Sequence, residues 1–433
     1  MAKFTKYKKL VVKDTEEATY LLSREWDGSA KYLVTDDYVE GYVPVEEIER
    51  ALRSPISQRF FKLFILHENE TRKKDISSYV IVSNSTLEKT YQQGNTRSFS
   101  VTLMNPEKIW LPSPVRGMLW ANTKFELIMG IQLENTIYWV EEGIFVCQDP
   151  DLSNGSFQKT INLQLLDKFA LIDGTISGKL GTDYQIPLGT NIFIAIKLLL
   201  NLRKDRLGNP YDFKVPIFPN KYSGVVTSYA LKKTAENTIG ELIIELANMI
   251  SCDVFYDEYG RLTLRENIED LDMHHRGVKW HYKDVVEGVE FFEPSMKIEW
   301  SKIINKVYVI GMNINGRLCK GEAENVNPRS AYNINGTFGE RPLVINDDVI
   351  NSDELCRDRA TYELKKNSMK YISINIKSIY IPHLNCNDLV RWSFEDYNYS
   401  NQLFAVQSLT IPLDPKELMN ISFTNIEDLP IMS

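Results

Sequence analysis

Cysteine is scarce in this chain: five residues in 433, Cys147, Cys252, Cys319, Cys356 and Cys386, odd in number, widely scattered and never in a CxxC spacing. That excludes a disulfide framework or a thiol zinc cluster and fits free thiols in a reducing compartment. Long apolar runs are missing as well. The most apolar stretch, NIFIAIKLLLNL at 191–202, is too short for a bilayer span and carries Lys197 in its middle, so no membrane insertion is expected. Nor is there a cationic excess: Lys plus Arg number 50 against 58 Asp plus Glu, a net charge of −8. Such a balance gives no attractive field for a phosphate backbone and argues against nucleic-acid binding by charge. The basic start KFTKYKK is followed only by LVV before KDTEE, which lacks the apolar region of a secretory signal. Glycine and proline do not gather into a linker, and no short-period repeat is present.

What the chain does have is the composition of a folded protein, 43% hydrophobic and 25% charged, and a recurring style of strand. In RSFSVTLMN, Phe99, Val101 and Leu103 alternate with Ser98, Ser100 and Thr102. In KTINLQLLD, Ile161, Leu163 and Leu165 alternate with Thr160, Asn162 and Gln164. In KYISINIKSIYIP, Ile372, Ile374 and Ile376 alternate with Ser373, Asn375 and Lys377. Each predicts a strand with one core face and one neutral, hydrogen-bonding face. Further strands are predicted at RFFKLFIL, DISSYVIVSNSTLEKTY, KFELIMGIQLE, TIYWVEEGIFVCQDP, NKVYVIGMNINGRL, DLVRWSFED and QLFAVQSLTIPL.

Between 175 and about 300 the pattern becomes helical. TNIFIAIKLLLNLRK predicts a helix with Thr190 as its cap, and TIGELIIELANMIS predicts a docked helix whose Thr238 and Glu241 form a capping box. The second helix runs into CDVFYDEYGRLTLRE, a hairpin around DEYG. A later helix is predicted at NSDELCRDRATYELKKN, with Cys356, Ala360 and Leu364 as its apolar stripe. Residues 1–57 read as an N-terminal arm with one short helix, PVEEIERALRSP, bearing Val45, Ile48 and Leu52 on one side. The expected class is α+β, mainly β.

Candidate chemistry is thin. His274, His275 and His281, beside Asp270 and Asp272, are the best metal candidates, but their spacing matches no zinc pattern and reads better as a polar loop. No GxSxG or Cys/His nucleophile signature occurs, and GTISGKLG is not a phosphate loop. Adjacent carboxylates at Glu141 and Glu142, Glu266 and Glu269, and Asp347 and Asp348 leave open a cell-wall-degrading glycosidase pair, whose separation sequence cannot measure. Trp110, Trp120, Trp139, Trp280, Trp300 and Trp392 lie in or beside β stretches and read as core or interface anchors, with sugar stacking in a peripheral carbohydrate-binding receptor module as the alternative. No catalytic, cofactor or metal residue is assigned, and no enzyme is expected.

The block RSFSVTLMNPEKIWLP, LWANTKFELIMGI and YWVEEGIFVCQDPDLSNGSFQKTINLQLLDKFALIDG resembles the first tube-type domain of bacteriophage baseplate hub and tail-tip hub proteins. Gly143, Phe145, Asp167, Lys168, Ala170, Leu171, Asp173 and Gly174 match that family's G-x-F strand and closing D-K-x-A-L-x-D-G. The capped helix with its hairpin is similar to the family's middle segment. YISINIKSIYIPHLNCNDLVRW is similar to its last barrel, with Asn387 and Asp388 where a Gly-Asp turn is common. The resemblance implies two tube-like antiparallel β-barrel domains at 58–174 and 300–433, a helical and hairpin middle region at 175–299, and the arm outside the pattern.

It further implies a structural virion protein made in the bacterial host cytoplasm. Its copies would form a homotrimer between the tail tube protein and the central spike or tip, beside baseplate wedge proteins. The tape-measure protein and then DNA would pass without specific binding, and no cofactor is implied. On this basis the polar residues Ser98, Ser100, Thr102, Thr160, Asn162, Gln164, Ser373, Asn375 and Lys377 are expected to line a lumen or meet a neighbouring subunit. Neutral hydroxyls and amides stay hydrated without holding phosphates.

Overall fold

The computed structural model describes residues 9–10, 21–22, 29–32, 41–44, 50–52 and 58–425, apart from 106–108, 111–117, 134–136, 155–158, 203, 205–211, 213, 251, 267–277, 284–290, 315, 329, 331, 348–349, 351, 368–371 and 383. The chain is mainly β, as the alternation predicts, and its largest element is a sheet of 14 strands. One path through it runs Phe291–Ile298, Ile372–Ser378, Met419–Asn425, Tyr399–Pro412, Thr86–Thr90, Arg97–Met104 and Lys159–Asp167, each neighbour antiparallel to the next. Lys159–Asp167 then forks. Its first half pairs with Asp151–Asn154, and its second half pairs with Ile137–Cys147, which leads on to Lys124–Gln132, Arg59–Leu66 and Arg72–Asp75. Early and late parts of the chain are thus stitched edge to edge through the pairing of Thr86–Thr90 with Ser408–Pro412. Strand Trp280–Lys283 adds a parallel pairing with Leu389–Phe394.

One face of this sheet supplies the main core. Leu87, Phe99, Ile161, Leu163, Leu165, Ile374, Ile376, Leu409, Ile411, Ile421 and Phe423 are all 2% exposed or less. Leu52 is fully buried in the same core, so the chain is already tied to the sheet before residue 58; Val45 and Ile48 lie outside the described residues. Lys9–Leu10 with Leu21–Leu22, and Ser29–Tyr32 with Gly41–Pro44, form two small pairs separate from the large sheet.

A second core joins the helices Ile192–Leu200 and Ile239–Asn248 to the hairpin Cys252–Tyr256 and Leu262–Glu266. Thr238 and Glu241 make the predicted capping box, with Glu241 N donating to Thr238 Oγ1 at 3.1 Å and Thr238 N to Glu241 Oε2 at 3.5 Å. Thr190 is not the cap of the first helix. Asn191 is, its Oδ1 accepting from Ile194 N at 3.2 Å, while the Thr190 hydroxyl donates to Pro187 O. A third, smaller core lies between the helix Asp353–Asn367 and the strands Lys306–Ile314, Arg317–Glu324 and Pro342–Asn346. Cys356, Ala360 and Leu364 are fully buried there, as the helical spacing predicts.

DISSYVIVSNSTLEKTY departs from expectation. After Asp75, which ends the strand Arg72–Asp75, the chain returns to a strand only at Thr86–Thr90, and Ser77–Tyr79 and Val82–Asn84 are 3₁₀ turns. Side chains divert the backbone: Asp75 Oδ1 accepts from Ser77 N at 2.9 Å and from its hydroxyl, and Ser85 Oγ donates to Ile81 O at 2.8 Å.

Candidate assembly surface

Register brings the polar residues of the three patterned strands onto one face of one sheet. Three strands between them, unremarked for this property in the sequence, complete the surface. One rung runs Ser295, Asn375, Ser422, Ser408, Thr90 and a second runs Lys377, Asn420, Thr410, Glu88, Ser98. A third runs Thr86, Ser100, Gln164, and a fourth Thr102, Asn162, Asp151. The signal for the missing members was present in NISFTN, where Asn420, Ser422 and Thr424 alternate with Ile421 and Phe423, and in the Thr-Glu-Thr alternation of TLEKT.

Cross-strand hydrogen bonds hold the rungs: the Ser100 hydroxyl donates to Gln164 Oε1 at 2.7 Å and the Thr102 hydroxyl to Asn162 Oδ1 at 2.9 Å. Thr102 differs from the other expected surface residues. It is only 8% exposed, tucked against the turn at Asn84–Ser85, whose Asn84 carbonyl also lies within reach of its hydroxyl. Ser98, Ser100, Thr160, Asn162 and Ser373 are half-buried, and Gln164, Asn375 and Lys377 are exposed. The surface is hollowed rather than flat. Cavities of about 510 Å³ and 370 Å³ lie along it, the first floored by Ser373, Ser422 and Thr424 and the second by Asn375, Ser408, Thr410 and Asn420. Charge is low, because Lys377 is paired to Glu293 at 2.7 Å and most other rung side chains are neutral.

The family-type motif is an anchor rather than a surface. Asp167 closes its strand by accepting from Thr96 N at 2.7 Å, Arg97 N at 3.1 Å and Phe169 N at 2.9 Å. Burial raises its pKa to about 6 despite those bonds. Lys168 is fully buried, with its Nζ 2.9 Å from Glu70, 2.7 Å from Asp212 and 2.9 Å from the Gly260 carbonyl. Phe169 enters the helical core, where Gly240 in the first turn of Ile239–Asn248 permits the approach; a Cβ there would lie 2.9 Å from the ring. Asn387 adopts φ 64° and its N donates to Val406 O at 2.7 Å, so Asn supplies the left-handed turn that a glycine commonly makes.

The remaining candidates separate. His281 faces Ser393 Oγ at 3.2 Å, while His274, His275, Asp270 and Asp272 lie outside the described residues; among the described residues no group of His, Cys, Asp and Glu is arranged to hold a metal. Glu142 is buried against Lys89, Glu269 and Asp348 lie outside the described residues, and Trp110, Trp280 and Trp392 are core. Trp120 and Trp300 are exposed.

No family model matches the chain, and no curated protein matches it in sequence. Its fold is nevertheless that of phage tail proteins. It is similar to the 43 kDa tail protein of prophage MuSo2 from Shewanella oneidensis, with a TM-score of 0.56 at 13% identity over 85% of this chain and 98% of that one. It is also similar to a tail protein from Neisseria meningitidis MC58, with a TM-score of 0.55 at 8% identity over 84% and 96%. For the prophage tail protein gp18 from Listeria monocytogenes EGD-e the TM-score is 0.50 at 10% identity over 85% and 95%.

Proposed function

We propose that this chain is a structural hub protein of a phage or phage-like tail, a homotrimer joining the tail tube to the central spike or tip. The hollowed polar face forms part of the wall of the channel for DNA. The observation that carries this reading is the extent of that face: eight paired strands in succession, from Phe291–Ile298 to Asp151–Asn154, contribute to it across bulges at Phe292/Ser295 and Val406/Ser408. Its two end strands keep free edges among the described residues. A sheet with two open edges invites further pairing, and identical copies joined head to tail form a ring when the rotation closes. The Asp151–Asn154 edge of one copy meets the Phe291–Ile298 edge of the next, and Phe292 and Ile298, 40% and 44% exposed, gain cover there.

Cross-linking tests this directly. Ser153→Cys with Lys297→Cys, in a Cys386→Ser background, is expected to give a ladder ending at a covalent trimer when isolated tails are treated with a short bis-maleimide. Dimers alone, or no inter-copy product, would sink the arrangement. Cell-wall hydrolysis on a zymogram, abolished by one carboxylate substitution, would replace the structural role by an enzymatic one.

The arm is proposed to dock on an adjacent tail protein. Deleting residues 1–49, which spares the buried Leu52, should leave the thermal unfolding midpoint within about 2 °C of the full chain while impairing incorporation into tails. A collapse of folding would refute an assembly role.

A further inference from the structure

Where the large sheet, the helical region and the 385–388 turn converge lies a cleft of about 770 Å³, which meets the polar face at Thr90. That volume is within the range of small-ligand sites. Tyr91, Phe255 and Tyr259 give it aromatic walls, and Ile217, 38% exposed, lies at its margin. Basic side chains outnumber acidic ones in the lining.

The acids are all engaged by the protein. Asp253 accepts from the Tyr91 hydroxyl at 2.9 Å and Gln93 Nε2 at 3.0 Å, and Asp257 holds Arg261 at 2.7 Å. Asp388 accepts from Asn385 N at 2.8 Å, and Glu258 lies 3.4 Å from Arg97. Arg265 is the exception among the cations. Its guanidinium lies 4.7 Å over the Phe255 ring and one terminal nitrogen reaches the Cys386 carbonyl at 3.4 Å. Its cross-strand partner is Asp253, whose carboxylate is taken by Tyr91 and Gln93, so Arg265 makes no ion pair among the described residues. A guanidinium held against an aromatic ring, with its Nε buried and without a partner, keeps terminal donors that suit a carboxylate.

We infer that this cleft binds a carboxylate carried on an apolar body, with Arg265 taking the carboxylate and the aromatic walls taking the body. The carboxylate comes either from a small organic acid or from an acidic residue of a peptide.

Saturation-transfer NMR on the full chain tests it with 4-phenylbutyrate and its uncharged amide, and with the peptides Ac-Phe-Glu-Phe-NH2 and Ac-Phe-Gln-Phe-NH2. A carboxylate probe is expected to bind at least about tenfold more tightly than its neutral partner, as one charge-assisted pair would give. Arg265→Gln should remove that preference. Thr263→Glu, which places a competing carboxylate in the lining while keeping Arg265, should do the same and covers the case in which the first variant fails to fold. Preference for the small acid marks a metabolite site, and preference only in the peptide pair marks a peptide site. Equal binding of charged and neutral probes, no binding of any, or a preference that survives both variants would overturn the inference.

Discussion

Replacing Lys168 by Met is expected to destabilise the chain by about 3–5 kcal/mol, the range for removing one partner of a buried ionic network. The ammonium sits at the centre of that network. Glu70, with a side chain 1% exposed, receives Lys168 at 2.9 Å, Lys124 at 2.6 Å and Lys214 at 2.7 Å. Asp212 receives Lys168 at 2.7 Å and the Tyr256 hydroxyl at 2.8 Å. Glu70 is at the tip of the turn joining Arg59–Leu66 to Arg72–Asp75, at φ 59°, so the network fastens the outer strands to the helical region. Without Lys168, Asp212 loses its closest cation and the Gly260 carbonyl loses a donor. Urea unfolding measures the loss, and an unfolding free energy unchanged to within about 0.5 kcal/mol would show the network to be dispensable.

The same network predicts a pH dependence. Burial alone would raise the Glu70 carboxyl, but Lys168, Lys124 and Lys214 together hold its pKa near 2, against an ordinary 4.5. A carboxylate depressed on folding contributes stability that is complete above its unfolded pKa and is lost as pH falls through the folded one. The wild-type advantage over Glu70→Gln should therefore hold at about 3 kcal/mol above pH 4.5 and vanish towards pH 2. Asp167 acts in the opposite sense: its folded pKa of about 6 exceeds the ordinary 3.8, so its contribution falls as pH rises between those values. An advantage of wild type over Glu70→Gln that does not change between pH 5 and 2.5 would contradict the assignment.

How much of this was legible depends on the range of the interaction. Alternation in KTINLQLLD fixes a local burial pattern, and the structure gives it: Ile161, Leu163 and Leu165 are buried while Gln164 is exposed. The capping box and the Cys356, Ala360, Leu364 stripe are equally local. Errors came where two local preferences competed, as at residues 75–85, where hydroxyl and carboxylate hydrogen bonds to backbone turned the chain despite its alternating pattern. Thr102 has the pattern of a surface residue but is covered by a turn lying elsewhere in the sequence. The pairing of Thr86–Thr90 with Ser408–Pro412 has no local signature, so the joining of the polar strands into one surface could only be inferred through a family resemblance. Arg265 and its cleft arise from separate segments and carry no motif.

That long-range pairing gives the second large expectation, which concerns Glu142. The residue is fully buried on Ile137–Cys147, beside the bulge at Gly143, with Lys89 Nζ 2.5 Å from its Oε2 and the Tyr380 hydroxyl donating to its Oε1. Lys89 also donates to Asn385 Oδ1 at 3.0 Å, and burial followed by the Glu142 charge raises the Tyr380 phenol well above its ordinary pKa. Early and late segments therefore meet at one carboxylate beneath the seam of the sheet. Glu142→Leu should leave the ammonium without its counter-charge and the phenol without its acceptor and cost about 3–5 kcal/mol, whereas Glu142→Leu with Lys89→Met should recover part of it because no buried charge remains unpaired. Because the seam is continuous, urea unfolding should stay a single transition when followed by tryptophan fluorescence, to which Trp110 contributes on one side and Trp280 and Trp392 on the other. If the variant instead separates into two transitions, with only one shifted, the two halves fold independently, and a wall that must stay intact across the seam would need another source of rigidity.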